Sequence, residues 1–200
     1  MTALDRIMEQ PLVYKLWQAP FAARKLAPVL AREDVARVDR VLDVACGPGT
    51  NAGHFAHADY VGVDVNERYI ATARGRHRGR FIAADAIGWT AKATERFDFI
   101  LVNSFLHHLD DNSVRELLRS LRGCLAPDGR LHVLELVLPD GWGVARALAR
   151  LDRGSYARSL GEWRELLSES LQIEWFQPYD LAAFGIPLWH MVYAVGSSRR

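Results

Sequence analysis

The sequence predicts an α/β fold built on a largely parallel sheet, and three observations carry that prediction. Short β-branched runs alternate with longer helical patterns from about residue 38 onward, the signature of βαβ units. The first run ends in a glycine turn, Cys46-Gly47-Pro48-Gly49-Thr50, that opens a helix. Half of the 200 residues are apolar, enough to fill a core between a sheet and its covering helices without disulfide staples.

Taken in order, residues 1–32 read as helical, broken at Pro11, Pro20 and Pro28, with Tyr14, Trp17 and Phe21 forming an aromatic face. VDRVLDVA (38–45) is the first strand, followed by the turn and a helix through Asn51, His54 and Phe55. YVGVDV (60–65) is the second strand, residues 67–75 a helix, RFIAADA (80–86) the third strand and FDFILVNS (97–104) the fourth. SVRELLRSLRGCL (113–125) is an amphipathic helix with Leu117, Leu118, Leu121 and Leu125 on one side, ended by Pro127-Asp128-Gly129. RLHVLELVL (130–138) is apolar enough for a fifth strand buried on both faces. Helical patterns follow near 142–153 and 160–169, then strands at QIEWF (172–176) and WHMVYAV (189–195). With no repeat, low-complexity tract or linker, the expectation is one domain over 1–200: a helical cap (1–37), a ligand-binding core (38–138), and lid helices with the last two strands (139–200).

Charged residues make up 24% of the chain and the formal net charge is +1, which argues against a disordered tail and against a general nucleic-acid binder. Only three lysines accompany the arginines, which are spread along the whole chain and read as codon bias. Cys46 and Cys124 lie far apart at no metal-ligand spacing, as suits free thiols in a reducing compartment. The N-terminus lacks a basic start and a sustained apolar run, and no stretch approaches the ~20 apolar residues that span a bilayer. The expectation is a cytoplasmic protein, monomer or homodimer, with no stable membrane insertion and no nucleic-acid partner.

The chemistry concentrates in VLDVACGPGTN (41–51). Gly47 and Gly49 permit a tight turn and close approach of backbone to a ligand, and the following helix offers unpaired N–H groups. A nucleotide-like ligand suits that place. Asp64 closes the second strand, where a carboxylate can accept both hydrogen bonds of a ribose diol, and Asp85 lies near the end of the third, beside Ala86.

This series resembles the class I S-adenosylmethionine-dependent methyltransferases, from about Val38 to Leu138. Val41-Leu42-Asp43-Val44-Ala45-Cys46-Gly47-Pro48-Gly49 matches that family's V-L-D-x-G-C-G-x-G motif, with Ala45 in place of the first glycine. FDFILVNSFLHHLDD is similar to the fourth-strand stretch of small-molecule enzymes related to the ubiquinone and menaquinone methyltransferases. LRGCLAPDGRLHVLE resembles the L-x-P-G-G segment before the fifth strand, with Asp128 in place of its first glycine. The resemblance implies a Rossmann-like three-layer α/β/α sandwich with a seven-stranded, mostly parallel sheet whose last strand is antiparallel. It implies S-adenosylmethionine as cofactor, S-adenosylhomocysteine as product and a small-molecule methyl acceptor. The implied cofactor-binding residues are Asp43, Ala45, Gly47, Gly49, Asp64, Val65, Asp85, Ala86, Asn103 and Ser104; Asp64 would hold the ribose and Asp85 would face the adenine amino group.

If a general base is used, His107 and His108 are the candidates, since they follow the fourth strand and imidazole titrates near neutrality. Adjacent histidines on a turn point in different directions, so one of them can equally cap or pack. Arg153, Tyr156 and Arg158 are candidates for gripping an anionic acceptor, with pairing to Asp152, Glu162 or Glu165 as the bland alternative. Tyr14 and Trp17 are candidates for covering the acceptor, and Lys25 or Arg24 for reaching the cofactor's methionine carboxylate. His54 and His57 lack further ligands, so no metal is expected. The basic run from Arg74 to Arg80 reads as a solvated link, and Trp175, Phe176, Trp189 and His190 as packing of the two edge strands. Two rival functions stay open: a cofactor-binding protein that does not methylate, acting as a partner-dependent pseudo-enzyme or rearrangement catalyst, and a nicotinamide oxidoreductase, for which the G-x-G-x-x-G spacing fails at Gly53.

Overall fold

The computed structural model describes residues 24–32, 35–141, 143–151, 155–183 and 185–198. Strands β1 (Arg40–Val44), β2 (Asp59–Asp64), β3 (Arg80–Ala83), β4 (Phe97–Asn103), β5 (Leu125–Val137), β6 (Leu171–Ala183) and β7 (Ile186–Ser198) form one sheet in the order β3-β2-β1-β4-β5-β7-β6. The β1–β2, β1–β4, β2–β3 and β4–β5 pairs are parallel, while β7 runs antiparallel to both β5 and β6. The helices are α1 (Glu67–Arg74), α2 (Ala86–Thr90), α3 (Asp111–Cys124), α4 (Val144–Leu151) and α5 (Leu160–Ser170).

β1 and β4 are buried through their centres because both sheet faces are covered. Leu42, Val44, Ile100 and Val102 pack with the Leu117, Leu118 and Leu121 face of α3 and with Trp163 and Leu167 of α5. Val41, Phe99 and Leu101 pack on the other side with Leu26, Val29, Phe55, Ile70 and Tyr193. Both free cysteines are buried in these cores.

The elements begin and end where local hydrogen bonding dictates. Asn66 caps α1 by accepting from the Arg68 and Tyr69 amides, and Asp110 caps α3 by accepting from Ser113 N at 2.9 Å. Asp85 caps α2 through Gly88 N at 2.7 Å, so the third strand stops at Ala83 and the expected strand over 84–86 is instead a cap and a helical start. The helix expected after the glycine turn is a single 3₁₀ turn, Ala52–Phe55. Pro127-Asp128-Gly129 lies within the span of β5 rather than ending a helix, where the β4 register shifts between Phe97 and Phe99. A Cβ on Gly129 would meet the Phe97 carbonyl oxygen at 2.6 Å, so this close approach of backbones requires glycine. β6 and β7 are each 13 residues long, well beyond the expected 172–176 and 189–195. Most β6 residues are exposed or half-buried, so its paired length left no apolar signal. Of the helical cap expected over 1–37, a helix at 24–30 and a 3₁₀ turn at Val35–Arg37 are described; Tyr14, Trp17 and Phe21 lie outside the described residues. No described helix is long and apolar enough to cross a membrane.

Candidate functional site

The parallel register brings four carboxyl ends together. Val44 pairs with Val63 on one side and Val102 on the other, and Asp64 pairs with Ala83, so residues 45–49, 64–66, 84–86 and 103–109 all emerge at one end of the sheet. In an open parallel sheet this end is where ligands bind.

The turn after β1 is held in shape from β2. Cys46 N donates to the Val63 carbonyl at 3.1 Å, and Gly47 N donates to Asp64 Oδ2 at 2.9 Å. The other Asp64 oxygen accepts from Asn66 N at 2.8 Å, which fixes the plane of the carboxylate. Ala45 takes φ +56°, a left-handed conformation that disfavours any side chain, next to Gly47 at φ +55°. Among the described residues, none places an atom within 4 Å of a Cβ built on Gly47, so they leave space above this turn. Val65 is 73% exposed, an apolar ledge beside Asp64, whereas Ala86 is buried.

Below the turn, Asp43 is buried and its Oδ2 accepts from Tyr60 Oη at 2.5 Å and Asn51 Nδ2 at 3.1 Å. Its Oδ1 has no hydrogen-bond partner among the described residues. Burial outweighs these two bonds and pushes the carboxyl up to about 6.

After β4 the backbone turns at Ser104, also left-handed at φ +55°, with its amide donating to the Leu134 carbonyl at 2.7 Å. Ser104 Oγ accepts from Lys25 Nζ at 3.0 Å and donates to Asn103 Oδ1 at 3.2 Å. Tyr179 Oη donates to the Lys25 carbonyl at 2.9 Å, so the 24–30 helix is docked on β6 with its lysine at the strand end. Arg24 instead donates to the Ala182 carbonyl.

The two histidines part company. His107 is 3% exposed and its Nδ1 lies 2.7 Å from Oε2 of Glu135, a fully buried β5 residue. Oε1 of the same carboxylate accepts from Phe105 N at 2.7 Å and Leu106 N at 2.5 Å. Burial alone would raise the Glu135 carboxyl, but His107 and the two amides hold it below the usual range. His108 is exposed, its ring centroid 4.3 Å from that of His107.

Arg158 corrects an expectation. Nε and one terminal nitrogen donate to Asp111 Oδ1 at 2.9 and 2.7 Å, and the remaining donors reach the Leu106, Tyr156 and Leu109 carbonyls at 3.2, 3.1 and 2.7 Å. Its five N–H groups are thus all engaged within the protein, and its guanidinium lies 4.7 Å over the Trp163 ring. It fastens the histidine turn to the segment after β5 and has no donor left for an acceptor, and among the described residues its acidic hydrogen-bond partner is Asp111 rather than Glu162 or Glu165; Asp152 lies outside them. Tyr156 is 43% exposed beside it, and its amide donates to the His107 carbonyl at 3.1 Å. Arg153 lies outside the described residues.

Glu135, Asn51 and Tyr60 are not among the site residues expected from the sequence. Glu135 did leave a signal: a lone carboxylate in the apolar run LHVLELVL needs a partner once both faces are covered. Elsewhere, His54 and His57 are exposed, Arg74 donates to the Phe81 carbonyl, and His190 pairs with Asp180 across the β6–β7 hairpin.

Comparison with known proteins agrees with this geometry. A family model described as a methyltransferase domain matches residues 41–129. Trans-aconitate 2-methyltransferase of Delftia acidovorans is 31% identical over 85% of this chain and 68% of its own length. Its counterpart from Variovorax paradoxus is 30% identical over 92% of this chain and 71% of its own. Among solved structures, the N-methyltransferase NodS from Bradyrhizobium japonicum in complex with S-adenosyl-l-homocysteine superposes with a TM-score of 0.70 at 19% identity, covering 98% of this chain and 91% of that one. The mitomycin 7-O-methyltransferase MmcR gives 0.71 at 19% identity, covering 99% of this chain and 61% of that one. These two likenesses are of fold.

Proposed function

We propose, from the premise that this chain belongs to the S-adenosylmethionine-dependent methyltransferases, that the carboxyl ends of β1 to β4 hold the cofactor and that the histidine turn after β4 faces a small-molecule acceptor. The observation that carries the reading is the Asp64 carboxylate, locked in plane by Gly47 N and Asn66 N beside a turn that no described residue approaches within 4 Å of a Gly47 Cβ.

The residues present fit the cofactor. Each Asp64 oxygen accepts one bond from the backbone and keeps a lone pair for a ribose hydroxyl. Val65 offers an apolar surface to the adenine, Ala86 closes the same side, and Asp85 has an acceptor oxygen besides the one that caps α2. Gly47, Gly49 and Ala45 bring backbone close. Asp43 Oδ1 is a buried acceptor of the kind an ammonium group, or a water bound to one, satisfies. Asn103 and Ser104, with Lys25 attached, border the same space from β4.

When bound, S-adenosylmethionine supplies a methyl group already activated on a sulfonium. The protein's task is then to hold the nucleophile in line at a little over ~3 Å, exclude water and, where needed, accept a proton. We assign proton acceptance to the histidine turn and shaping of the acceptor space to Tyr156 and the segment fastened by Arg158. Tyr14, Trp17 and Arg153 remain proposed acceptor contacts. The named relatives make trans-aconitate the first acceptor to try.

Calorimetric titration with S-adenosylmethionine, S-adenosylhomocysteine and NAD tests the reading. Binding of the first two is expected in the micromolar range, weakened roughly 10- to 100-fold by Asp64→Ala, as the loss of charge-assisted bonds to the ribose implies. Tight binding of NAD, or unchanged affinity in the variant, would overturn it.

A further inference from the structure

We infer that Arg158 is a positioning residue for the methyl acceptor: its ion pair with Asp111 latches residues 155–159 onto the turn after β4 and thereby fixes Tyr156 in the acceptor space. The inference rests on the methyl-transfer reading above and deepens it, because it places control of acceptor affinity in an ion pair whose cation has no donor left for acceptor or cofactor.

Little backbone pairing holds this segment. Residues 155–159 belong to no helix, and among the described residues their one strand contact is a parallel bridge between Arg158 and Val137, beside which Leu138 N donates to the Arg158 carbonyl at 2.7 Å. Val137 already pairs with His190 of β7, so the bridge takes the other side of β5, the side that β4 leaves beyond its last pair, Asn103 with Leu134. Tyr156 N adds a bond to the His107 carbonyl at 3.1 Å. Two such bonds do not fix five residues by themselves, since ordering each residue costs more than one backbone bond returns in water.

The Arg158 side chain supplies the rest. It is 6% exposed, turns back along its own segment to the Tyr156 carbonyl at 3.1 Å, and crosses to the Leu106 and Leu109 carbonyls at 3.2 and 2.7 Å. Both backbone polar groups of Tyr156 are thereby committed, its amide to the turn and its carbonyl to the guanidinium. Its ring stays 43% exposed, with the same guanidinium 6.0 Å from the ring centre. A cation this buried needs a countercharge, and among the described residues Asp111 carries it, at the exposed first position of α3. An apolar side chain would anchor the segment as firmly, because a buried ion pair is seldom worth more than the packing it displaces. What the guanidinium adds is direction: a rigid fork with every donor engaged admits one arrangement of the segment. A wall set in advance spares the acceptor the cost of ordering it.

The test uses the whole chain carrying 3-fluorotyrosine and saturated with S-adenosylhomocysteine, with Tyr156→Phe to assign the Tyr156 fluorine signal. Catechol, phenol, benzylamine and trans-aconitate are titrated in turn, and at least one is expected to move that signal. Asp111→Ala and Arg158→Lys are each expected to shift or broaden the signal before any acceptor is added. Each is also expected to weaken binding of that acceptor about tenfold or more, with S-adenosylhomocysteine affinity changed less than about threefold. In methyl transfer to the same acceptor, the loss is expected in KM rather than kcat, as for binding shared by ground and transition states. In calorimetry, adding Asp111→Ala to Tyr156→Ala is expected to weaken the acceptor less than about threefold further, because the latch acts through Tyr156; a merely structural pair would show no such dependence. A Tyr156 signal that no acceptor moves, a signal indifferent to both latch variants, a loss in kcat at unchanged KM, or additive losses in the double variant would each overturn the inference. Should Arg158→Lys fail to fold, Asp111→Ala, at an exposed helix start, still decides. Failure of S-adenosylhomocysteine to bind would instead sink the underlying methyl-transfer reading.

Discussion

Ala45 and Asp43 lie two residues apart, and each stores energy for the turn between them. An alanine methyl at φ +56° is disfavoured by roughly 1 kcal/mol, so Ala45→Gly is expected to raise the unfolding free energy by up to that amount, less the extra entropy glycine brings to the unfolded chain, read as a higher urea midpoint. A lower midpoint would mean that the methyl group packs. Asp43 stores its energy as charge. Burial holds its folded pKa up at about 6, above the ordinary aspartate value, so between the two the unfolded chain binds fewer protons and stability falls as pH rises. Above about pH 6 the full penalty, on the order of 3 kcal/mol, is in place. Asp43→Asn keeps an acceptor for Tyr60 and Asn51 and removes the charge. Urea unfolding at several pH values should therefore show the variant gaining on the parent from about pH 4 to 6 and levelling above; a pH-independent difference would contradict the assignment.

At the scale of elements, helix starts are where the chain reveals itself most plainly. Asn66, Asp85, Asp110 and Ser159 each precede a helix and each accepts a backbone amide, a relation within three residues that needs no tertiary context. At α5 the arrangement is reciprocal: Ser159 Oγ accepts from Glu162 N at 3.3 Å, and Glu162 Oε2 accepts from Ser159 N at 2.7 Å. These bonds hold the Glu162 carboxyl below its ordinary range. Ser159→Ala is expected to lower stability by about 1 kcal/mol without altering cofactor affinity, measured by denaturant unfolding beside calorimetry. A fall in affinity as well would show that the Arg158 clamp next to it transmits strain to the site. The long β6–β7 hairpin is the counterexample, since its pairing satisfies backbone groups whatever the side chains are.

Across the whole molecule, the site is made of loops from β1, β2, β3 and β4, with the 24–30 helix reaching it through Lys25 and the segment after β5 through Tyr156 and Arg158. A ligand bridging these loops stabilises the fold by mass action. At 100 times its Kd, S-adenosylhomocysteine is expected to add about 2.7 kcal/mol, roughly 5–10 °C in Tm for a chain of this length. Asp64→Ala should cut that rise to about 0.4–1.4 kcal/mol at the same ligand concentration, from an unliganded Tm lowered by loss of the Gly47 N and Asn66 N bonds; an undiminished rise would remove Asp64 from the site.

By itself the sequence determined the order of the strands through β5, the helices α1 and α3, the glycine turn at Gly47 and the positions of Asp64 and Asp85, because apolar runs and turn residues act over a few neighbours. Only the tertiary structure decided what the buried polar groups do. Glu135 meets His107 across 28 residues of chain, and Arg158 meets Leu106 across 52. One contact spends a carboxylate on a single imidazole and the other exhausts a guanidinium on carbonyls, and the side chains alone carry no mark of either choice. A buried charge declares in the sequence that it needs a partner; which partner it finds depends on the parallel register that sets β4 beside β5.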